Sequence, residues 1–137
     1  MNKVIPKILI GKSLVLLSET VSFPPELGLK FSVPTFDESK QQSGPELFFE
    51  FIFDYDSAKP PGGMKPELVN DGTAKGVKIF LTNFGSSLPS GLTHPLSFNI
   101  GTASFSLLFG GHLLVNDKDS NFKMLTMTVS VFQGVLK

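Results

Sequence analysis

The sequence predicts an all-β domain, an antiparallel β-sandwich or jelly-roll-like barrel of about eight short strands. Three observations carry that expectation. Apolar and polar residues alternate with period two in several short segments, which sends successive side chains to opposite faces of an extended strand. Turn residues recur between those segments, with 13 Gly and 10 Pro spread along the chain. Aromatic content is almost entirely phenylalanine, 14 Phe against one Tyr and no Trp. Such rings suit a pleated, half-buried surface, and each fully buried one contributes about 1.5–3 kcal/mol. With 137 residues, the chain reads as a single domain over residues 1–137, long enough to bury a core.

Taken in order, KILIGKSLVLLS (residues 7–18) reads as two apolar strands turning at Gly11-Lys12. TVSF then runs into Pro24-Pro25, which stops a strand or a helix. LGLKFSV is a partly alternating strand ending at Pro34, and TFDESKQQSGP (35–45) is the first long polar loop, a candidate for mobility. ELFFEFIFDYD (46–56) is the clearest strand. Phe49, Phe51, Phe53 and Tyr55 share one face, while Phe48, Glu50, Ile52, Asp54 and Asp56 share the other; a helix would scatter those rings around its circumference. SAKPPGGMKP (57–66) reads as a loop, and Asn70-Asp71-Gly72 as a hairpin turn. GVKIFLTNF sets Val77, Ile79 and Leu81 opposite Lys78, Phe80 and Thr82. LSFNI and ASFSLLF flank a turn at Gly101-Thr102, and Gly110-Gly111 predicts a bulge or bend before HLLV. After the polar turn NDKDSN (116–121), Leu125, Met127, Val129 and Val131 alternate with Thr126, Thr128 and Ser130 in a closing strand.

Charge excludes some function classes. The 12 basic residues are all Lys, they balance 12 acidic residues, and Arg is absent. Binding that neutralises phosphates, or a polybasic membrane contact, needs an excess of positive charge. Bidentate phosphate and guanine recognition favours Arg. Neither nucleic acid nor membrane is therefore an expected partner. With no Cys, disulfides and thiolate chemistry are excluded. The N-terminal apolar residues are split by Lys12, short of the unbroken run of roughly 7–15 residues in a secretory leader or about 20 in a membrane helix. The expected location is the cytoplasm.

Candidate chemistry is sparse. TNFGSSLPSGLTHP (82–95) holds Ser86, Ser87, Ser90 and His94, a nucleophile and a base by type, but no G-x-S-x-G elbow. A hydrolase using His94 is the least favoured reading. Asp117, Asp119 and Asn121 share the alternate spacing that opens a calcium loop, yet Phe122 stands where Gly is needed and Thr128 where Glu is. They read as a solvated turn, with weak metal binding at Asp117 and Asp119 the lesser alternative. Glu50, Asp54 and Asp56 read as a strand's solvent side rather than a carboxylate pair. His94 and His112 lack metal-ligand spacing. PPGG (60–63) lacks the Gly-Lys-Ser/Thr of a phosphate loop, and reads as an exposed tip presenting Met64 and Lys65 to a partner. No catalytic, cofactor-binding or metal-ligating residue is assigned, and no cofactor is expected.

One stretch carries a resemblance. FLTNFGSSLPSGLTHPLSFNIG (80–101) resembles an uncharacterised family of small bacterial β-rich domains. The likeness lies in Thr82-Asn83-Phe84, Gly91-Leu92-Thr93-His94-Pro95-Leu96 and Gly101. The Gly11-Lys12 hairpin and the closing strand fit it, while the segments 35–45 and 57–66 look longer here. The resemblance implies a compact β-domain and carries no activity, cofactor or catalytic residue. It suggests that the loop is a structural crossover, built on Asn83, Phe84, Gly91, Thr93, Pro95 and Gly101. Asn83 and Thr93 would bond the loop's backbone, Phe84 and Leu92 would plug the sandwich end, and Gly91 would adopt a left-handed turn.

The function expected is a non-enzymatic β-sandwich module for protein–protein interaction or self-association. Such a module would suit an accessory protein of a bacterial or phage defence or counter-defence system. Rings on both faces at the start of strand 46–56 exceed what one buried face needs, so Phe48 joins Met64 and Lys65 as an expected partner contact. Dimerisation by strand addition suits the architecture. A small-molecule or glycan-binding sandwich is the alternative, weakened by the absence of Trp and the single Tyr.

Overall fold

The computed structural model describes residues 8–10, 13–37, 39, 41–42, 44–54, 63–72, 74–82, 88, 91–92, 94–100, 103–115 and 123–134. Nine strands lie within these residues: β1 (Ile8–Ile10), β2 (Ser13–Phe23), β3 (Leu29–Val33), β4 (Leu47–Asp54), β5 (Met64–Asn70), β6 (Lys75–Thr82), β7 (Leu96–Ile100), β8 (Ala103–Val115) and β9 (Lys123–Gly134). They form a five-stranded sheet in the order β1-β2-β9-β8-β7 and a four-stranded sheet in the order β3-β4-β6-β5. The result is the two-layer β-sandwich that the alternation predicts.

Side-chain parity places the core. Leu47, Phe49 and Phe51 of β4, Val77, Ile79 and Leu81 of β6, and Leu125, Met127, Val129 and Val131 of β9 are all buried. Phenylalanine rings join the layers: Phe51 meets Phe109 of β8 edge-on at 5.2 Å between centroids, and Phe49 meets Phe98 of β7 at 5.7 Å. Phe31 of β3 stacks on Phe49 at 5.4 Å. Each such pair adds about 0.5–1.5 kcal/mol to the area it buries.

The structure differs from the sequence reading at four places. First, β4 and β6 pair in parallel, while every other strand pair described is antiparallel. The chain leaves β4, runs down the outermost strand β5, and returns through a hairpin as β6, which inserts between them. That hairpin turns at Asn70-Asp71-Gly72 as predicted, with Gly72 at φ 91° and the Ala74 N–H donating to Asp71 Oδ1 at 2.9 Å. Second, Met64, Lys65 and Pro66 belong to β5 rather than to a loop. Proline is tolerated there because β5 is an edge strand. Third, β8 runs through Gly110-Gly111 without a bulge, Gly110 opposite Thr128 and Gly111 opposite Met127. A Cβ at Gly111 would strike the Thr126 carbonyl, so close backbone approach explains that glycine. The irregularity falls in β2 instead, between Val15 and Leu17. It lets Leu14, Val15, Leu16 and Leu17 all be buried in succession. Fourth, Pro24-Pro25 leads into a single 3₁₀ turn, Pro25–Leu27, closed by Gly28 at φ 70°. Among the described residues, no helix is long and apolar enough to cross a membrane.

Among the described residues of the polar segment after β3, Phe36, Asp37, Ser39 and Gln41 are held by hydrogen bonds. Phe36 is buried, and the Gln133 side chain takes both of its backbone groups: the Phe36 N–H donates to Oε1 at 3.1 Å, and Nε2 donates to the Phe36 carbonyl at 2.7 Å. Gln133 is itself only 1% exposed. Farther along, Asp37 Oδ1 accepts the Ser39 hydroxyl at 2.6 Å and the backbone N–H groups of Ser39 and Gln41 at 2.9 and 3.1 Å.

Replacing Gln133 with Leu removes both of its buried hydrogen bonds to the Phe36 backbone. We expect a loss of about 2–3 kcal/mol, read as a lower urea midpoint at unchanged slope. At Asp37, the Ser39 hydroxyl first and the Gln41 N–H next hold the carboxyl below the usual aspartate range. Because the folded-state value is depressed, the contribution of this turn is present above the unfolded-state value. It is lost as pH falls through the lower, folded one. An NMR titration should show the Asp37 carboxyl and the Ser39 and Gln41 amides moving together in that acid window. Titration of Asp37 in the ordinary range would count against the turn.

Candidate functional site

The two outward faces of the sandwich are built differently. On the five-stranded sheet, Ser18, Thr20 and Ser22 of β2 stand opposite Ser130, Thr128 and Thr126 of β9. The three hydroxyl pairs each close at 2.9 Å. This exposed ladder is uncharged and its hydroxyls satisfy one another.

The outward face of the four-stranded sheet carries charge and rings. Register across its strands aligns Lys30 of β3, Glu50 of β4, Lys78 of β6 and Glu67 of β5 in one row. The signs alternate along that row. One neighbouring row is Ser32, Phe48, Gly76 and Val69; the other holds Ile52, Phe80 and Lys65. Phe48 is half-buried on an outward face because its neighbours hold it there. Its ring lies across Gly76, where a Cβ would collide with the ring and with the Phe48 carbonyl. Lys30 Nζ sits 5.3 Å from the ring centroid, within cation–π range. Two open depressions mark this face. One of 510 Å³ is lined by Lys30, Phe48, Glu50, Val69 and Lys78 among others, and one of 340 Å³ by Lys65, Pro66, Glu67 and Phe80.

Of the expected partner contacts, Phe48 and Lys65 thus come to the same face. Met64 does not. Its side chain is half-buried on the inward side of β5 and packs against the core, so the exposed-tip reading of Met64 and Lys65 is corrected: both open a strand. Sequence reasoning missed Glu67 as a member of the row. The Asn-Asp-Gly turn fixes its pairing with Lys78, but the parallel β4–β6 junction that adds Glu50 leaves no trace in either strand's pattern.

In the segment 82–95, the described residues cover an edge. β7 pairs with β8 only as far as Leu107. Beyond that point the Gly91 N–H donates to the Phe109 carbonyl at 3.0 Å and the Leu88 N–H to the Gly111 carbonyl at 3.4 Å. Leu88 is buried. Gly91 is required by proximity and not by a left-handed turn: its φ is not positive, and a Cβ would lie 2.5 Å from the Phe109 ring. Leu92 is 57% exposed and lies across Gly110, so it does not plug the sandwich end. Pro95 is exposed and precedes β7 directly, and His94 beside it is also exposed. Asn83, Phe84, Thr93 and Gly101 lie outside the described residues, as do Ser86, Ser87, Ser90, Asp117, Asp119, Tyr55 and Asp56. Among the described residues, no group of three His, Asp or Glu side chains could hold a metal ion.

Gly91→Ala forces a methyl group into the Phe109 ring, and overpacking of that kind costs about 1–3 kcal/mol. A thermal unfolding midpoint lowered accordingly is the expected result; an unchanged midpoint would show that the segment can move off β8. Comparison with protein-family models, with curated proteins and with solved structures finds no match to this chain.

Proposed function

We propose that the protein is a non-enzymatic β-sandwich module that binds another protein, or a copy of itself, through the outward face of the four-stranded sheet. The observation that carries this reading is the charged row Lys30–Glu50–Lys78–Glu67 set between rows that bear Phe48, Val69, Ile52 and Phe80. Half-buried apolar side chains supply the area that association removes from water. Charges between them set orientation and reject mismatched partners. Phe48 is held in place before any partner arrives, which lowers the entropy lost on binding.

The free edges favour a face over strand addition. The outermost strand β5 carries Lys65, Pro66 and Glu67 in succession, and β1, β3 and β7 span three, five and five residues. Short strands, Pro and charge are the devices that keep a sheet edge from pairing. An accessory role in a bacterial or phage defence or counter-defence system, in the cytoplasm, is the setting proposed with this reading. The short, Arg-free β-domain is the feature that supports that setting.

The test is affinity capture of the tagged protein from native extract, with native mass of the eluate, beside the variant Phe48→Ala/Lys78→Glu. A stoichiometric companion or a defined oligomer that the variant loses is the expected result. A wild-type protein recovered as a bare monomer would overturn the reading.

A further inference from the structure

We propose that the occupant of this face is a second copy of the same chain, packed face to face about a two-fold axis that runs along the strands. The inference rests on the binding-module reading and commits it to one partner.

It follows from the order of charges. Read across the sheet from β3 to β5, the row is positive, negative, positive, negative: Lys30, Glu50, Lys78, Glu67. A two-fold axis lying in the interface and parallel to the strands reverses that order in the facing copy. Lys30 then meets Glu67 of the other copy, Glu50 meets Lys78, and both contacts occur twice. An axis along the row would instead set Lys30 on Lys30 and Glu50 on Glu50. The sequence of signs therefore favours one closed arrangement and opposes the other, which is what an isologous interface requires.

The neighbouring rows agree with the same axis. Reversal brings Ile52 of one copy onto Phe80 of the other. It brings Phe48 onto the position of Gly76, over which the facing copy's own Phe48 ring lies. At the central positions of both rows apolar groups meet apolar groups and ring meets ring, while the outer pair of the first row sets Ser32 against Val69. The axis also leaves the strands of the two facing sheets nearly aligned, the packing that twisted sheets adopt at about 30°. That angle displaces the ends of the rows most, so Glu50 and Lys78, nearest the axis, stay opposed. Four strands at about 4.8 Å and eight residues at about 3.3 Å give a face of roughly 19 by 26 Å. Contact on the order of 500 Å² per copy is the scale of a small specific interface. On the opposite outward face the hydroxyls of the β2–β9 ladder are paired among themselves and uncharged.

Charge reversal at the two central positions tests the geometry. Glu50→Lys sets a new lysine against Lys78 across the axis, and Lys78→Glu sets a new glutamate against Glu50. Each variant alone should weaken the dimer at least about tenfold, measured by sedimentation and native mass over micromolar concentrations. Mixed one to one, the two variants should form a heterodimer, identified by isotope labelling of one of them. The double variant Glu50→Lys/Lys78→Glu in one chain should dimerise like the wild type, although its row now places like charges side by side. Thermal unfolding confirms that each variant folds, and the double variant separates interface effects from effects within the sheet. A wild-type protein that stays monomeric at about 100 µM, or variants that fail to complement, would overturn the proposal. If that monomer still captures a different protein in stoichiometric amount, the binding-module reading stands without self-association.

Discussion

The two sheets are held against each other by a connected run of phenylalanine rings, and the rest of the molecule is arranged around it. Phe23 meets Phe53, Phe53 meets Phe51, and Phe51 meets both Phe31 and Phe109. Phe31 continues to Phe49, and Phe49 through Phe98 to Phe105. Rings from β2, β3, β4, β7 and β8 thus share one contact network, fully or partly buried. Because protein interiors are packed at crystal-like density, such a network tolerates little sliding of one layer over the other. It fixes which parity of each strand faces inward. Every outward position, including the charged row, is a consequence of that choice, since a slip of one residue would exchange the two faces.

Glycine shows where the sequence is easily misread. In the sequence Gly91 reads as a turn and Gly110-Gly111 as a bulge or bend, while Gly76 merely opens a strand. In the structure none is needed for a left-handed backbone; each leaves space for something packed against it, a phenylalanine ring at Gly76 and Gly91, Leu92 at Gly110, and the Thr126 carbonyl at Gly111. Only tertiary neighbours distinguish these uses. Gly72 is the opposite case: an Asn-Asp-Gly turn needs a positive φ by local geometry alone, and so it was legible.

Strand existence and burial parity were legible for the same reason. The alternation in β4, β6 and β9 is a local property, and the buried residues fall on the expected side in all three. The partner of each strand is not local. Period two is identical for parallel and antiparallel neighbours, so the insertion of β6 between β4 and β5 left no mark. Gln133 illustrates a related limit. It occupies the inward parity set by Val129 and Val131, where a polar side chain looks like the end of the buried run. Its amide instead continues the sheet's hydrogen bonding by serving both backbone groups of Phe36. Parity was the available signal: a polar residue at an inward position of a strong strand must find a buried partner.

The contrast between the two outward faces bears on how such a domain stays specific. A β-sandwich has four edges and two outer faces through which it can aggregate. Here the edges are short or carry Lys65-Pro66-Glu67, and the β2–β9 part of one face is a ladder of mutually bonded hydroxyls, with Leu92 and Leu114 exposed beside it at β8. These features give an approaching chain few unsatisfied groups to bond. The four-stranded face differs from that one in setting charges between its apolar rows, so that burial favours contact while charge penalises most orientations of that contact. Attraction there is non-directional, because burial depends on area alone. Direction comes from the charges, and a row that alternates in sign over an even number of strands is complementary to its own reverse. Had the sheet three strands in this row, or had β6 not inserted between β4 and β5, reversal would place like charges together. The parallel crossover, invisible in the strand patterns, is therefore the feature that gives this face its symmetry.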